Sequence, residues 1–227
     1  MLGLGMGLHK HKQKQIVRNG LVLYLDGKDF TNSPPTTSWN DRSGLGNNAT
    51  PSGMAYTTSS GADGVGGVVF DGVDDSASVP NSGSLPINSS FTIETKFKYL
   101  GGVGSIGPAI SKSLVGGSYE YIISVVDSRL KASALSMSFT DLIGNTVNIG
   151  DTTYAILRYN PTGTTDLFQN GNLVASIPSV NSVGPSTSDI VLGSLRTNKL
   201  LGVSYLSRIY NRALIDSEIR QNYNASR

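Results

Sequence analysis

The sequence contains no cysteine, which removes disulfides, zinc–thiolate sites and thiol nucleophiles together and leaves burial and backbone pairing to hold the fold. Histidine is nearly as scarce. The two present, His9 and His11, sit in one short basic run, so a Ser-His-Asp triad has no base in the body of the chain. Two imidazoles without a third ligand nearby also make a poor metal site, and a solvated basic run is the simpler reading. Charged residues reach only 15% and aromatics 7%, with Trp39 the single tryptophan. No apolar run approaches the ~18 residues that span a bilayer, so a membrane partner is not expected. The Gly-broken start at Met1 to Leu8 precedes its charges instead of following them and has no small-residue cleavage site, so it reads as an arm and not as a secretion signal.

Glycine is abundant, 27 of 227 residues, with dense Ser, Thr and Asn beside it, a composition suited to short strands joined by many turns and poor for helices. Apolar residues at 38% suffice for one core, and an all-β sandwich of this length stays a single domain. Charge is unevenly placed. Residues 1–19 carry Lys10, Lys12, Lys14 and Arg18 and no acid, so taking +4 from the overall +2 leaves a body of −2. A nucleic-acid surface would spread Lys and Arg over a face of the domain, so no nucleic acid is expected and any electrostatic partner belongs to the arm.

Leu21 to Leu25 reads as a near-continuous apolar strand ended by Asp26-Gly27, and residues 31–66 as a long polar loop pinned against the sheet by Trp39. Further strands are expected at Val68 to Phe70, Ala77 to Val79, Phe91 to Tyr99, Tyr119 to Val126, Leu130 to Ser138, Tyr154 to Tyr159 and Ile190 to Leu192. The Gly-rich stretch 101–107 reads as a hairpin loop. Phe91, Ile93, Thr95 and Phe97 alternate with Thr92, Glu94, Lys96 and Lys98, which predicts a strand with one face in water. Asn170-Gly171 between apolar arms supplies the positive φ angles of a type I′ hairpin. Val203 to Tyr210 carries apolar groups on both faces and should be central. After Asp216 and Ser217, which suit a helix start, the helical spacing of Leu214, Ile215, Glu218, Ile219 and Tyr223 predicts a short helix.

The closing run G-V-S-Y-L-S-R-I-Y-N-R-A-L-I-D-S-E-I-R-Q-N-Y, residues 202–223, resembles the last segment of LamG-like jelly-roll domains of the concanavalin A-like lectin/glucanase superfamily, of the kind found in phage virion proteins. G-L-V-L-Y-L-D-G at 20–27 with W-N-D-R-S-G at 39–44 resembles the opening strand and loop, V-V-F-D-G-V-D-D at 68–75 the second block, and F-T-I-E-T-K-F-K at 91–98 the third. The Asn170-Gly171 hairpin, with Phe168 in its aromatic place, agrees with them. The resemblance covers roughly residues 20–225 in order. It implies an all-β, antiparallel two-sheet jelly roll over residues 20–227, in which Leu21 to Leu25 lies beside the closing strand. A short C-terminal helix and an extended N-terminal arm at residues 1–19 complete the expectation. It says less about ligand, because one fold hosts many functions.

Glycoside hydrolases share this fold, and retaining hydrolysis needs two carboxyl groups about 5 Å apart. Glu94 and Glu120 are the only strand glutamates, each isolated, and read as surface charges on a wet face; no catalytic residue is expected. Asp71, Asp74 and Asp75 around Gly72 offer oxygens to a hard cation such as calcium, or else cap backbone N–H groups of their own turn. The resemblance implies a structural calcium held by acids in such loops and by an acid in the closing strand, where this sequence has Tyr205. Trp39 is a candidate sugar platform or a core residue, and Tyr119 and Tyr121, two apart, are either a platform or an inter-strand pair.

Two functions are expected from this. The first is a non-enzymatic phage virion structural protein: a capsid decoration, head-fibre or tail-associated component assembled in the host cytoplasm in many copies or as a homo-oligomer. Its arm, through Leu2, Leu4, Met6, Leu8, Lys10, Lys12, Lys14 and Arg18, would bind other virion proteins, while the sandwich would meet cell-surface polysaccharide. The second is a carbohydrate-binding module of a bacterial surface or secreted system. An arm beginning at Met1 without a signal peptide favours the first.

Overall fold

A computed structural model describes residues 15–85, 89–103, 106–113, 119–136, 142–179 and 186–227. In chain order its strands are β1 (Leu21–Asp26), β2 (Thr50–Ser52), β3 (Gly61–Ala62), β4 (Val68–Asp71), β5 (Ser76–Val79), β6 (Phe91–Val103), β7 (Ile106–Ser113) and β8 (Tyr119–Val126), followed by β9 (Arg129–Ser136), β10 (Leu142–Thr146), β11 (Thr152–Tyr159), β12 (Thr164–Gln169), β13 (Asn172–Pro178), β14 (Ile190–Leu192), β15 (Ser194–Leu195) and β16 (Asn198–Tyr210). One helix, α1 (Asp216–Ala225), closes the chain.

Every pairing among the described residues is antiparallel, in two sheets. One runs β13-β12-β11-β6-β16-β4-β3, with β1 and β15 also on β16; the other runs β10-β9-β8-β7-β14-β5-β2. β16 is the axis of the first sheet: it pairs with β6 along its length, with β4 through Leu201 to Ser204 and with β1 through Leu206 to Tyr210. The two apolar faces of the closing strand thus predict its central place, and β1 lies beside it as expected. Between the sheets, Leu23, Leu25, Phe91, Ile93, Phe97, Leu157, Tyr159 and Ile209 meet Ile110, Tyr121, Ile123 and Val125 in one dry core.

The Asn170-Gly171 turn joins β12 to β13 with φ angles of 52° and 82°, as a type I′ hairpin requires. A Cβ at Gly171 would come within 2.6 Å of the Tyr223 ring, so the turn also lets α1 dock. The stretch 101–107 is not the hairpin loop expected: β6 runs on through Val103 in the first sheet and β7 begins at Ile106 in the second, so the two strands it joins do not pair. The end of the strand expected to reach Ser138 lies outside the described residues.

A second apolar cluster changes the reading of the first sheet. Leu21, Tyr24, Tyr154, Ile156, Phe168, Leu206 and Tyr210 face outward from the sheet, and α1 covers them with Ile219, joined by Val17 and Leu214. The face of β6 expected to be wet is therefore roofed: Thr92 and Glu94 are wholly buried. Residues 15–19, expected to belong to a free arm, are also part of the fold. Val17 is buried, its N–H donates to Asn222 Oδ1 at 2.8 Å, and its carbonyl accepts from the Tyr210 hydroxyl at 3.0 Å. Gln15 to Asn19 thus pack with the sandwich, because a polar bond and an apolar contact both hold this strap against α1.

Candidate functional site

β6, β11 and β16 run side by side, which sets Glu94 opposite both Arg208 and Ile156 in register. A glutamate facing an arginine across adjacent strands is a favourable pair in water; beneath α1 it becomes a buried one. Arg208 NH1 lies 3.1 Å from Glu94 Oε2, and neither side chain is exposed beyond 2%. Tyr154 donates its hydroxyl to Glu94 Oε2 at 3.0 Å, and Asn222 of α1 donates to Oε1 at 2.8 Å. Asn222 also donates to the Tyr210 hydroxyl at 2.9 Å, while Arg208 NH2 donates to Ser226 Oγ at 3.0 Å. Sheet, helix and N-terminal strap thus share one polar network. Burial raises the Glu94 carboxyl above its ordinary pKa, against the pull of Arg208, Asn222 and Tyr154. Burial likewise pushes the Tyr154 phenol well up, with the Glu94 charge adding to it.

The expectation that Glu94 and Glu120 are exposed surface charges is therefore corrected. Both are fully buried. Glu120 pairs with Lys112 at 3.3 Å and accepts from the Ser186 N–H at 2.9 Å. Glu94 alternates with core-facing Ile93, and Glu120 with core-facing Tyr121, so the two acids lie on the outer faces of opposite sheets. Packed sheets stand about 10 Å apart, so the acids are separated by at least that, more than the ~5 Å of a retaining pair. Sequence alternation identified the outward face but carried no signal of what covers it.

Trp39, offered as a sugar platform, is wholly buried in the main core; its indole N–H donates to the Asp26 carbonyl at 2.8 Å and its ring meets Phe30 edge-on at 5.6 Å. It pins the 31–66 loop and presents no face to a ligand. Tyr121 is equally buried, tilted against Phe91. Arg18, assigned to the arm's contacts, is engaged in the domain, donating to the Arg42 carbonyl and lying 5.9 Å from the Tyr24 ring centroid. Leu2, Leu4, Met6, Leu8, Lys10, Lys12, Lys14, His9 and His11 lie outside the described residues.

The turn after β4 does bring Asp71, Asp74 and Asp75 together, with carboxylate oxygens within 4.8 Å of one another. Asp75 is committed: its oxygens accept from the Ser60 hydroxyl and the Asp71 N–H, and Asp71 accepts from the Val73 N–H. Burial raises the Asp75 carboxyl above its ordinary value, and the neighbouring Asp71 and Asp74 charges add to this. The closing strand supplies no acid there; instead Lys199 donates to the Asp74 carbonyl at 3.4 Å. Asp71 and Asp75 thus cap backbone N–H groups of their own turn, while the three carboxylates stand close enough to share one cation.

One open feature of this face is a cleft of about 310 Å³ between the β1 end and the tail of α1. Arg208 lines it, with Lys28, Lys96, Tyr205 and Ser226 around it. Lys96 Nζ donates to the Ser226 carbonyl at 2.6 Å and stands 5.7 Å from the Tyr205 ring centroid.

Fold and site together define an all-β, two-sheet antiparallel sandwich with a helix-roofed outer face and a cleft lined by cations. Comparison with protein-family models and with curated protein sequences returned no match. Among solved structures, the chain superposes on a Trypanosoma rangeli sialidase in complex with the inhibitor DANA, with a TM-score of 0.70, 16% identity, 89% of this chain and 32% of that one covered. The binding domain of Paraclostridial Mosquitocidal Protein 1 matches with TM-score 0.67 and 17% identity over 92% of this chain and 52% of that one. The binding domain of Botulinum neurotoxin DC, in complex with rat synaptotagmin II, matches with TM-score 0.63 and 14% identity over 93% and 52%. The chain thus spans about a third of the sialidase and about half of the toxin domains, and the likeness is one of fold.

Proposed function

We propose that the chain is a non-enzymatic, lectin-like binding module and a structural component of a phage particle, its N-terminal residues joining other virion proteins and its sandwich meeting host-surface polysaccharide. One observation supports the non-enzymatic part above others: Glu94 and Glu120 are sealed, ion-paired and on opposite outer faces, so neither reaches a glycosidic bond. The cleft beside Arg208 supports the binding part. The virion part rests on the sequence of the arm. Leu2, Leu4, Met6 and Leu8 alternate with Gly, which suits an extended segment laid on a neighbouring sheet edge, and Lys10, Lys12 and Lys14 would follow over an acidic rim. Repetition in many copies, or a homo-oligomer, would multiply a weak contact. The reading calls for no cofactor.

The test uses the purified full chain on a glycan array, with a parallel assay of reducing-sugar release from the polysaccharides. Binding without release is expected. Release that disappears in Glu94→Gln or Glu120→Gln would make the protein an enzyme and end the proposal. Deleting residues 1–14 is expected to leave the fold intact and abolish incorporation into particles; unchanged occupancy would end the anchoring role.

A further inference from the structure

The cleft carries a charge pattern that glycan binding alone does not call for. Lys28 and Lys96 both line it, and among the described residues no carboxylate stands within ion-pair distance of either. The acid on its lining, Asp26, is already committed. Its Oδ1 accepts from the Lys28 backbone N–H at 3.1 Å, its Oδ2 from the Tyr24 hydroxyl at 2.9 Å, and the Arg42 guanidinium pairs with it. Arg208 and Arg227 also line the wall; the Arg208 charge is balanced by Glu94, and its buried Nε has no hydrogen-bond partner. Burial and the Lys28 ammonium together hold Lys96 below the usual lysine range, so the two lysines share one environment and repel. An anion placed between them would relieve that repulsion.

We propose that this cleft binds the carboxylate or sulfate of an acidic saccharide unit, with Lys28 and Lys96 as the anion's partners and the Tyr205 ring bounding the sugar. The inference rests on the glycan-binding reading above and names the class of glycan. At about 310 Å³ the cleft is at the small end of ligand sites, with room for one sugar ring. Tyr205 is half-buried beside Lys96, so it offers an aromatic surface next to the cation.

Calorimetric titration of the full chain with glucuronate, glucose and inorganic sulfate tests this, at low and raised salt. Glucuronate binding is expected, weakened by salt, and weakened at least about tenfold in Lys28→Ala and in Lys96→Met. Lys131→Ala, on β9 of the other sheet, is expected to change nothing. Lys28 is exposed, so its variant keeps the test valid if Lys96→Met proves unstable. Glucuronate binding that ignores both lysines overturns the site. Sulfate bound through the lysines with glucuronate ignored overturns the saccharide assignment. Array glycans bound with no response to glucuronate or sulfate overturn this inference alone, whereas a chain that binds no glycan at all removes the reading beneath it.

Discussion

At Glu94 a carboxylate is held away from water by one guanidinium, one phenol and one amide, and each of these partners comes from a different element. Removing Arg208 would strand that charge. Arg208→Met is therefore expected to cost about 3–5 kcal/mol in chemical denaturation at neutral pH, while the double replacement Arg208→Met with Glu94→Leu recovers most of the loss. The pH dependence has a definite sign. With its carboxyl already raised by burial, Glu94 in the Arg208→Met variant takes a proton more readily folded than unfolded, so the variant regains stability as pH falls toward the carboxylate range and loses it as pH rises. A loss that stays flat with pH would mean the pair matters by packing alone. None of this was legible at the residue. Alternation with Ile93 told which way Glu94 points, and its cover arrives from Asn222, 128 positions along the chain.

The helix α1 shows which local signals survive folding. Asn170-Gly171 was readable because a type I′ turn needs positive φ at two adjacent residues, a demand no distant contact can satisfy. The helix start was readable too: Glu218 accepts from the Ile215 N–H at 3.0 Å, closing the first turn as its position after Asp216 and Ser217 implies. Its buried face was not legible from that spacing. Ile215, one of the residues at helical spacing, is exposed, and Asn222, a polar residue that hydropathy discards, is wholly buried at the network's centre. Arg212 pairs with Glu218 at 2.6 Å and lowers its pKa by hydrogen bonding, more than partial burial raises it. A depressed carboxylate stabilises above its unfolded pKa and loses that contribution as pH falls through the folded one. Glu218→Gln is expected to cost under about 1 kcal/mol at pH 7 and nothing near pH 3, measured by thermal melts across that range.

For the molecule as a whole, the central place of β16 was legible because both its faces carry apolar groups, and β1 lies beside it as the resembled jelly roll implies. The packing of Gln15 to Asn19 was not legible, because they look like more of the basic run before them until the helix supplies their partners. Two truncations separate the pieces. Removing residues 1–14 is expected to leave the thermal midpoint unchanged, whereas removing 1–18 discards Val17 with its two bonds and costs on the order of 2–4 kcal/mol. Equal midpoints would mean the strap is ornamental. Gln221 donates to the Gln15 carbonyl at 2.8 Å, just as Asn222 accepts from Val17, so the two ends of the described chain leave the domain side by side. Tension applied across those ends would meet the clasp in a peeling direction, one bond after another, so strap and helix are expected to lift before the long paired strands of the sandwich part.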